Sequence, residues 1–423
     1  MPKIDPKILK GTRDMLPLNM FKRNFVMNKI RSIFEKFGYD QIETPILNPA
    51  ETILGKYGEE GDRLTYSFKD KGERNLALPY DLTVPFARFT ATNWRELPMP
   101  FKRYQIQRVW RAEKPQKGRL REFYQCDIDV IGTKSLLVEA EVAKTIVEVF
   151  KAIDLPDIVI KFNSRRLINS VLSNLNVLED KKIEIIRTID KLEKIGPEKV
   201  ETILKDAGIK NAKEILQALK PGEKNIKTLE NLSDYDTKEI KELLEYTKNL
   251  GIDEKYLQFD PALARGLDYY TGLIFEVVDN KNEYGSLCGG GRYDNLCGLF
   301  SDQEFSGMGV AFGFERIMLV LEEMGAFKDI KSKTKALITL FDKDSIKDAL
   351  KIYSKLLGQN INCEIYFEPA KLDKQFKYAD KKNIPYVVIY GPEEKEKEEV
   401  AVKNMGSGKQ ESMALDKLGE YLK

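Results

Sequence analysis

The chain has 423 residues, too many for one ordinary hydrophobic core, so its length predicts two domains plus an insertion. With 42% hydrophobic and 32% charged residues and no apolar run of membrane-spanning length, it reads as a soluble globular protein with no membrane partner, and its net charge of only +2 means that any nucleic acid must be held by a local basic surface. It contains no histidine, which excludes serine and cysteine triads with an imidazole base, histidine-ligated metals and phosphohistidine chemistry.

The four cysteines, Cys126, Cys288, Cys297 and Cys363, form no CxxC pair, so no zinc site is expected and reduced thiols are the default. Residues 1–5 lack the basic-then-apolar pattern of a secretory signal, and a cytoplasmic location is expected.

In chain order, Phe21, Phe25, Ile30, Ile33, Phe34 and Phe37 recur at helical spacing and predict an amphipathic helix over residues 18–37, stopped by Gly38. A strand is expected over residues 39–44, ending at Pro45. Two strand-like runs, 101–113 and 123–131, are joined by Lys114, Pro115, Gln116, Lys117, Gly118 and Arg119, which predicts an antiparallel pair with a basic tip. Helical periodicity returns at 135–153, followed by a short strand at 158–162 and a helix at 165–175. Residues 178–250 are rich in Lys and Glu with apolar residues at helical spacing, and read as a small helical insertion. Strands and turns resume at 259–278 and continue through Gly289, Gly290 and Gly291 to a helix over 315–324. After a polar connector, short β-rich runs at 336–341, 361–367 and 384–391 alternate with helical stretches, predicting a separate α/β domain with a largely parallel sheet. The first 325 residues read instead as α+β, an antiparallel sheet with helices to one side.

Chemistry concentrates in the two long runs. By period two, Gln105, Gln107, Val109 and Arg111 share one face of the first, and Phe123, Gln125, Asp127 and Asp129 one face of the second. If these faces coincide, an arginine, amides and carboxylates line a two-stranded floor. Guanidinium groups bind carboxylate and phosphate oxygens in bidentate fashion, so the floor suits a substrate bearing a carboxylate and a phosphate chain; a solvated hairpin with surface ion pairs explains the stretch equally well. Three weaker clusters follow. Arg265, Gly266, Asp268, Tyr269 and Tyr270 crowd a strand entry; glycines 289–291 allow close backbone approach to a ligand but also fit a tight turn; Glu315 and Arg316 open a helix, a place that favours phosphate but also fits ordinary capping.

Taken together and in order, these pieces resemble the class II aminoacyl-tRNA synthetases and, more closely, the histidyl-tRNA synthetase family. The resemblance begins at KGTRDMLP (10–17) and continues through GYDQIETPIL (38–47), similar to class motif 1 of the dimer interface, and LPYDLTVPFAR (78–88). FKRYQIQRVWRAEKPQKGRLREFYQCDIDVIG (101–132) resembles motif 2 and GFERI (313–317) motif 3. RGLDYYTG (265–272) and CGGGRYDNL (288–296) resemble the two signatures particular to the histidine-specific family.

The resemblance implies a catalytic domain over residues 1–325, with the helical insertion at about 178–250, and a C-terminal α/β anticodon-binding domain over 334–423. It implies a homodimer that activates histidine with ATP to histidyl-adenylate and transfers it to the 3′ end of tRNA(His), releasing AMP and diphosphate. In that family the residue at Arg111 bridges the amino-acid carboxylate and the α-phosphate, Arg316 holds the far phosphates, Phe123 stacks on adenine, and Glu113 meets the adenine amino group or a metal-bound water. Arg265 would reach the α-phosphate where other class II enzymes rely on a metal ion, and Mg²⁺ would still accompany ATP, with no metal site of the protein's own. Asp81 and Thr83 would take the ammonium group, Gln125, Asp129, Tyr269 and Tyr270 would surround the side chain, and Gln116, Lys117 and Arg119 would meet the tRNA acceptor stem.

Overall fold

The structure, a computed structural model, describes residues 3–220, 222, 225–264, 269–281, 283–328 and 332–423. It divides into two compact units, Met1–Ala326 and Phe327–Lys423. The helix Pro17–Lys36 starts on a proline, whose missing N–H no helical bond needs at that position. Its apolar stripe buries Val26, Ile30 and Phe34, the last with its ring 5.7 Å from Tyr104 and 5.6 Å from Phe312. Phe25 points the other way and is 42% exposed, so the aromatic positions do not all share the buried face.

The strands of the first unit, in chain order, are β1 Asp40–Gln41, β2 Asn48–Pro49, β3 Ser67–Lys69, β4 Asn75–Ala77, β5 Phe101–Trp110, β6 Glu122–Ile131, β7 Ile158–Ser164, β8 Leu257–Phe259, β9 Leu273–Asp279, β10 Cys288–Tyr293 and β11 Gly307–Gly313. Eight of them form one sheet in the order β1-β5-β6-β11-β10-β9-β7-β8, and β2-β4-β3 form a small second sheet. The large sheet is antiparallel except where β1 meets β5 and β8 meets β7. The strand expected over 39–44 is only two residues long, because Thr44 directs its hydroxyl and carbonyl to the Gln105 and Gln107 amides instead of to a ladder.

Register decides what the middle of this sheet presents. Gln105, Asp127, Ala311 and Gly289 lie in one row across β5, β6, β11 and β10, and Arg103, Asp129, Gly309 and Gly291 in the next. The two faces imagined from the sequence therefore coincide, and the glycine run is a strand in the sheet centre, not a turn. Gly309 is required here: a Cβ at that position would lie 1.9 Å from Asp129 Oδ1. The opposite face carries Cys126, Ile128 and Phe312, packed under the helices Pro17–Lys36 and Leu137–Ala152 through contacts such as Phe150 to Phe312 at 5.9 Å.

Between the helix Arg165–Asn174 and β8 the chain makes a series of short helices, Glu179–Ile189 to Lys238–Asn249, as the Lys- and Glu-rich amphipathic pattern predicts. Ion pairs tie this segment to the elements before it: Lys161 of β7 to Glu193, and Arg166 of the helix Arg165–Asn174 to Glu239.

The second unit is a five-stranded sheet of β12 Ala336–Ile338, β13 Cys363–Ile365, β14 Tyr386–Ile389, β15 Glu399–Asn404 and β16 Gln410–Ala414, in the order β13-β12-β14-β15-β16. Only β13, β12 and β14 are parallel; β15 and β16 add an antiparallel hairpin, so the sheet is mixed instead of largely parallel. The sequence hid that hairpin because β16 is an exposed polar edge strand with little β signature. Its turn is set locally, with Asn404 Oδ1 accepting from the Gly406 and Ser407 N–H groups and Gly408 at φ +73°.

One buried ion pair joins the sheet to the helix behind it. Arg292 at the end of β10 donates to both oxygens of Glu139, at 2.5 and 2.7 Å, and to the Thr133 and Ser135 carbonyls and Ser306 Oγ. Neither partner is exposed, so removing the carboxylate leaves a buried guanidinium without its bidentate counter-charge. Glu139→Ala is expected to lower stability by about 3–5 kcal/mol, read as the urea midpoint of the purified protein; an unchanged midpoint would contradict the role assigned to this pair.

Candidate active site

Two cavities open on the same sheet face. The larger, about 280 Å³, is lined by Glu113, Phe123, Ser286, Gly313 and Arg316 among others; the smaller, about 130 Å³, by Asp81, Thr83, Asp127, Asp129, Tyr269 and Tyr270. Arg111, Gln125, Gly289 and Ala311 line both, so the two spaces meet at Arg111.

Arg111 follows directly on β5. Its Nε donates to the Tyr80 carbonyl at 3.0 Å, and its guanidinium lies 4.2 Å from the Tyr80 ring centroid and 5.3 Å from that of Phe123. One edge of the group is thereby held while cation–π contacts fix its plane. Arg316 stands on the first turn of the helix Phe314–Glu323 and donates from Nη1 to the Ser286 carbonyl at 2.7 Å.

The loop between β5 and β6 is folded over this helix. Gln116 and Arg119 exchange backbone hydrogen bonds across a tight turn, and Gly118, at φ +72°, comes so close to Arg316 that a Cβ there would sit 3.3 Å from Arg316 Cγ. Lys117 pairs with Glu323 at 2.6 Å and Arg119 with Glu113 at 3.4 Å. Two of the basic groups at the tip expected from the sequence, Lys117 and Arg119, are therefore charge-paired.

Glu315 is in the lining of the larger cavity, but its carboxylate is engaged within the protein. It accepts two bonds from Arg23, at 2.7 and 2.6 Å, and fastens the helix Pro17–Lys36 to the helix Phe314–Glu323. Arg23 escaped the sequence reading, although a charge on an otherwise apolar stripe is the signal that finds it.

In the smaller cavity Asp81 is buried just before the helix Thr83–Asn93. Its Oδ1 accepts from Tyr57 Oη at 2.8 Å and from the Val84 N–H at 3.1 Å, and its Oδ2 from Tyr269 Oη at 3.3 Å. Asp129 accepts from Arg103 on Oδ2 at 2.5 Å and from Tyr293 Oη on Oδ1 at 2.6 Å. Burial pushes Asp129 up to about 6 in spite of the Arg103 guanidinium, and burial likewise raises Asp81 and, further, Asp127. The rings of Tyr269 and Tyr270 meet edge to face at 4.8 Å.

The structure thus brings Asp81, Thr83, Arg111, Gln125, Asp129, Tyr269 and Tyr270 to one cavity and Arg111, Glu113, Arg119, Phe123 and Arg316 to the other. Arg265, Gly266 and Asp268 lie outside the described residues. Tyr57, Arg103 and Tyr293, which hold the carboxylates, were missed; Arg103 is two residues before Gln105 on the same face and could have been found by extending the period.

A model of the histidyl-tRNA synthetase family matches residues 11–317, and one of the anticodon binding domain matches residues 333–423. The chain belongs to the histidyl-tRNA synthetase family. Histidine–tRNA ligase of Christiangramia forsetii is 40% identical over 456 residues, covering 99% of this chain and 99% of that protein, and that of Cytophaga hutchinsonii is 40% identical over 446 residues, covering 98% of each. The crystal structure of histidyl-tRNA synthetase from Nostoc sp. PCC 7120 superimposes with a TM-score of 0.87 at 30% identity over 99% of both chains. The architecture is accordingly that of a class II synthetase, a mostly antiparallel catalytic sheet with helices followed by a mixed α/β anticodon-binding domain.

The close approach of Gly309 to Asp129 gives a direct check on this site. Gly309→Ala must displace the Asp129 carboxylate from Tyr293 and is expected to cost about 1–3 kcal/mol of stability, measured by urea unfolding; wild-type stability would rule the close approach out.

Proposed function

We propose that this chain joins histidine to tRNA(His) in two steps at the junction of the two cavities, and that Arg111 is the pivot of the first. The observation that carries this is the position of Arg111 on the wall shared by both spaces. An amino-acid carboxylate in the smaller cavity and the α-phosphate of a nucleotide in the larger one would both reach its guanidinium.

In the first step a carboxylate oxygen of histidine forms a bond to the α-phosphorus of ATP, which enters as its Mg²⁺ complex, and diphosphate leaves. Arg111 stabilises the charge that builds on the phosphoryl oxygens, with one edge already fixed by Tyr80 so that little reorganisation is needed. Phe123 offers a ring face to adenine, Arg316 meets the far phosphates, and Glu113 would meet the adenine amino group or a metal-bound water. Arg265 is assigned to the α-phosphate from the family signature RGLDYYTG. Asp81 and Thr83 take the ammonium group, and Gln125, Asp129, Tyr269 and Tyr270 enclose the side chain.

In the second step the terminal ribose hydroxyl of the tRNA attacks the acyl carbon and AMP leaves. The chain has no imidazole to take the hydroxyl proton, so a phosphate oxygen of the adenylate accepts it. Gln116, Lys117 and Arg119 meet the acceptor stem, with phosphates replacing Glu323 and Glu113 as partners of the two basic groups. The unit Phe327–Lys423 reads the anticodon. The protein works in the cytoplasm as a homodimer, joined near the small β2-β4-β3 sheet, where Leu47 and Phe68 are 57% and 46% exposed.

Purified protein with ATP, histidine and tRNA is expected to yield histidyl-tRNA; failure to charge any tRNA with the fold intact would sink the reading. Arg111→Gln is expected to lower kcat in histidine-dependent ATP/pyrophosphate exchange by about 10²- to 10³-fold, and Arg265→Ala to abolish exchange. A near-normal rate in either variant would remove that residue from the mechanism. Sedimentation is expected to give twice the chain mass.

A further inference from the structure

The Lys117–Glu323 pair is one half of a larger arrangement on the helix Phe314–Glu323. Arg316, Leu319 and Glu323 follow one another along one face of that helix, with Arg316 and Glu323 two turns, about 10 Å, apart. Two loops from distant parts of the chain lie against this face, and each meets it both at Arg316 and at Glu323.

In the loop between β5 and β6, Lys117 Nζ donates to Glu323 at 2.6 Å while the neighbouring Gly118 packs on Arg316 and on Leu319. The second loop follows β9. There Asp279 accepts from the N–H groups of Lys281, Glu283 and Tyr284, each at 3.2 Å, and so sets the turn locally. From that turn Tyr284 Oη donates to Glu323 at 2.6 Å, and the Ser286 carbonyl accepts from Arg316 Nη1 at 2.7 Å. Gly118, Ser286 and Arg316 all line the nucleotide cavity. Glu323 therefore ties together two walls of that cavity from beyond its lining.

Helix stability does not explain a carboxylate at this position. Glu323 stands on the last turn, where the helix dipole disfavours negative charge. Lys117 and Tyr284 nonetheless hold it below the usual carboxylate range. The two ties differ in permanence. Tyr284 belongs to a turn fixed by Asp279, whereas the Lys117 side chain is 72% exposed, and an ion pair so open to water is weak enough for a phosphate to take its place.

We infer that Glu323 is a positioning residue that holds the two loops about Arg316 during the activation step and competes with the tRNA acceptor stem for Lys117. The inference rests on the two-step reading above. With Lys117 on Glu323 the β5–β6 loop stays against Arg316 and the far phosphates of ATP; with Lys117 on an acceptor-stem phosphate, Glu323 keeps Tyr284 alone and the loop is released for transfer. Loss of the carboxylate must then move the two substrates in opposite directions, which a merely structural role would not do.

The experiment measures KM for ATP in histidine-dependent ATP/pyrophosphate exchange without tRNA, and KM for tRNA(His) in charging at saturating ATP, with the full-length protein. Glu323→Ala is expected to raise KM for ATP about 3- to 10-fold and to lower KM for tRNA about 2- to 5-fold. Glu322→Ala removes the same charge one residue earlier, from a carboxylate that pairs with Lys22 at 3.7 Å, and is expected to change neither. Any result in Glu323→Ala other than opposite shifts would overturn the inference, as would an equal gain for tRNA in Glu322→Ala. Should Glu323→Ala fail to fold, Tyr284→Phe, which cuts one tie alone, is expected to raise KM for ATP about 2- to 5-fold; an unchanged value there would overturn the inference as well. Absence of any histidine-dependent exchange by the wild type would instead strike the functional reading itself.

Discussion

The arrangement depends on the register of β6 between β5 and β11. Phe123, Gln125, Asp127 and Asp129 reach the working face only because their strand is held in one of two possible phases; a slip of one residue would send all four to the side now occupied by Cys126 and Ile128. The pin is the row of Arg103, Asp129 and Gly309. A wholly buried guanidinium faces a buried carboxylate across one ladder, and across the other a glycine provides the space that carboxylate needs. Each member is specific to that register, since a neighbouring pairing would leave both charges unmatched in the interior.

From that row outward the site is graded. Asp129 is fully engaged by the protein, Asp127 has an open oxygen, Gln125 belongs to both cavities, and Phe123 faces the larger one. Arg111 then stands where the strand ends, clamped by Tyr80 and stacked between two aromatic rings. A chain without histidine assembles its polar machinery from arginine, carboxylate and tyrosine, and the tyrosines do the positioning: Tyr57 and Tyr269 on Asp81, Tyr293 on Asp129. Tyrosine suits this task because it contributes a donor while packing a large apolar face.

The loop between β5 and β6 shows how local chemistry and long-range packing divide the work. Its turn is closed by backbone bonds between Gln116 and Arg119, a local matter, but its place over the helix Phe314–Glu323 comes from Gly118 against Arg316 and Lys117 against Glu323, residues some two hundred positions away. A basic run in a sequence reads as a free charged surface; here Lys117 and Arg119 have acidic partners in the fold, and phosphate must compete with them.

By itself the sequence determined the helices with clear amphipathic spacing, the long hairpin and its two faces, the helical insertion, and the order of motifs that places the chain among the histidyl-tRNA synthetases. These follow from local periodicity and from residues close together in the chain. What it could not determine was set by pairing over long distances. Strand β10 in the centre of the sheet looked as much like a turn as a strand, because three glycines carry no β preference; it is the packing of Gly309 and Val310 against Gly290, and of Leu273 and Tyr270 against Gly291, that leaves no room for a side chain there. The β15–β16 hairpin was hidden by a polar edge. Glu315 is held as a strut by Arg23, and the difference between Asp127 and Asp129, two carboxylates two residues apart on one strand, exists only in three dimensions. It depends on which of them finds Arg103 and Tyr293, and those partners are brought to it by the fold.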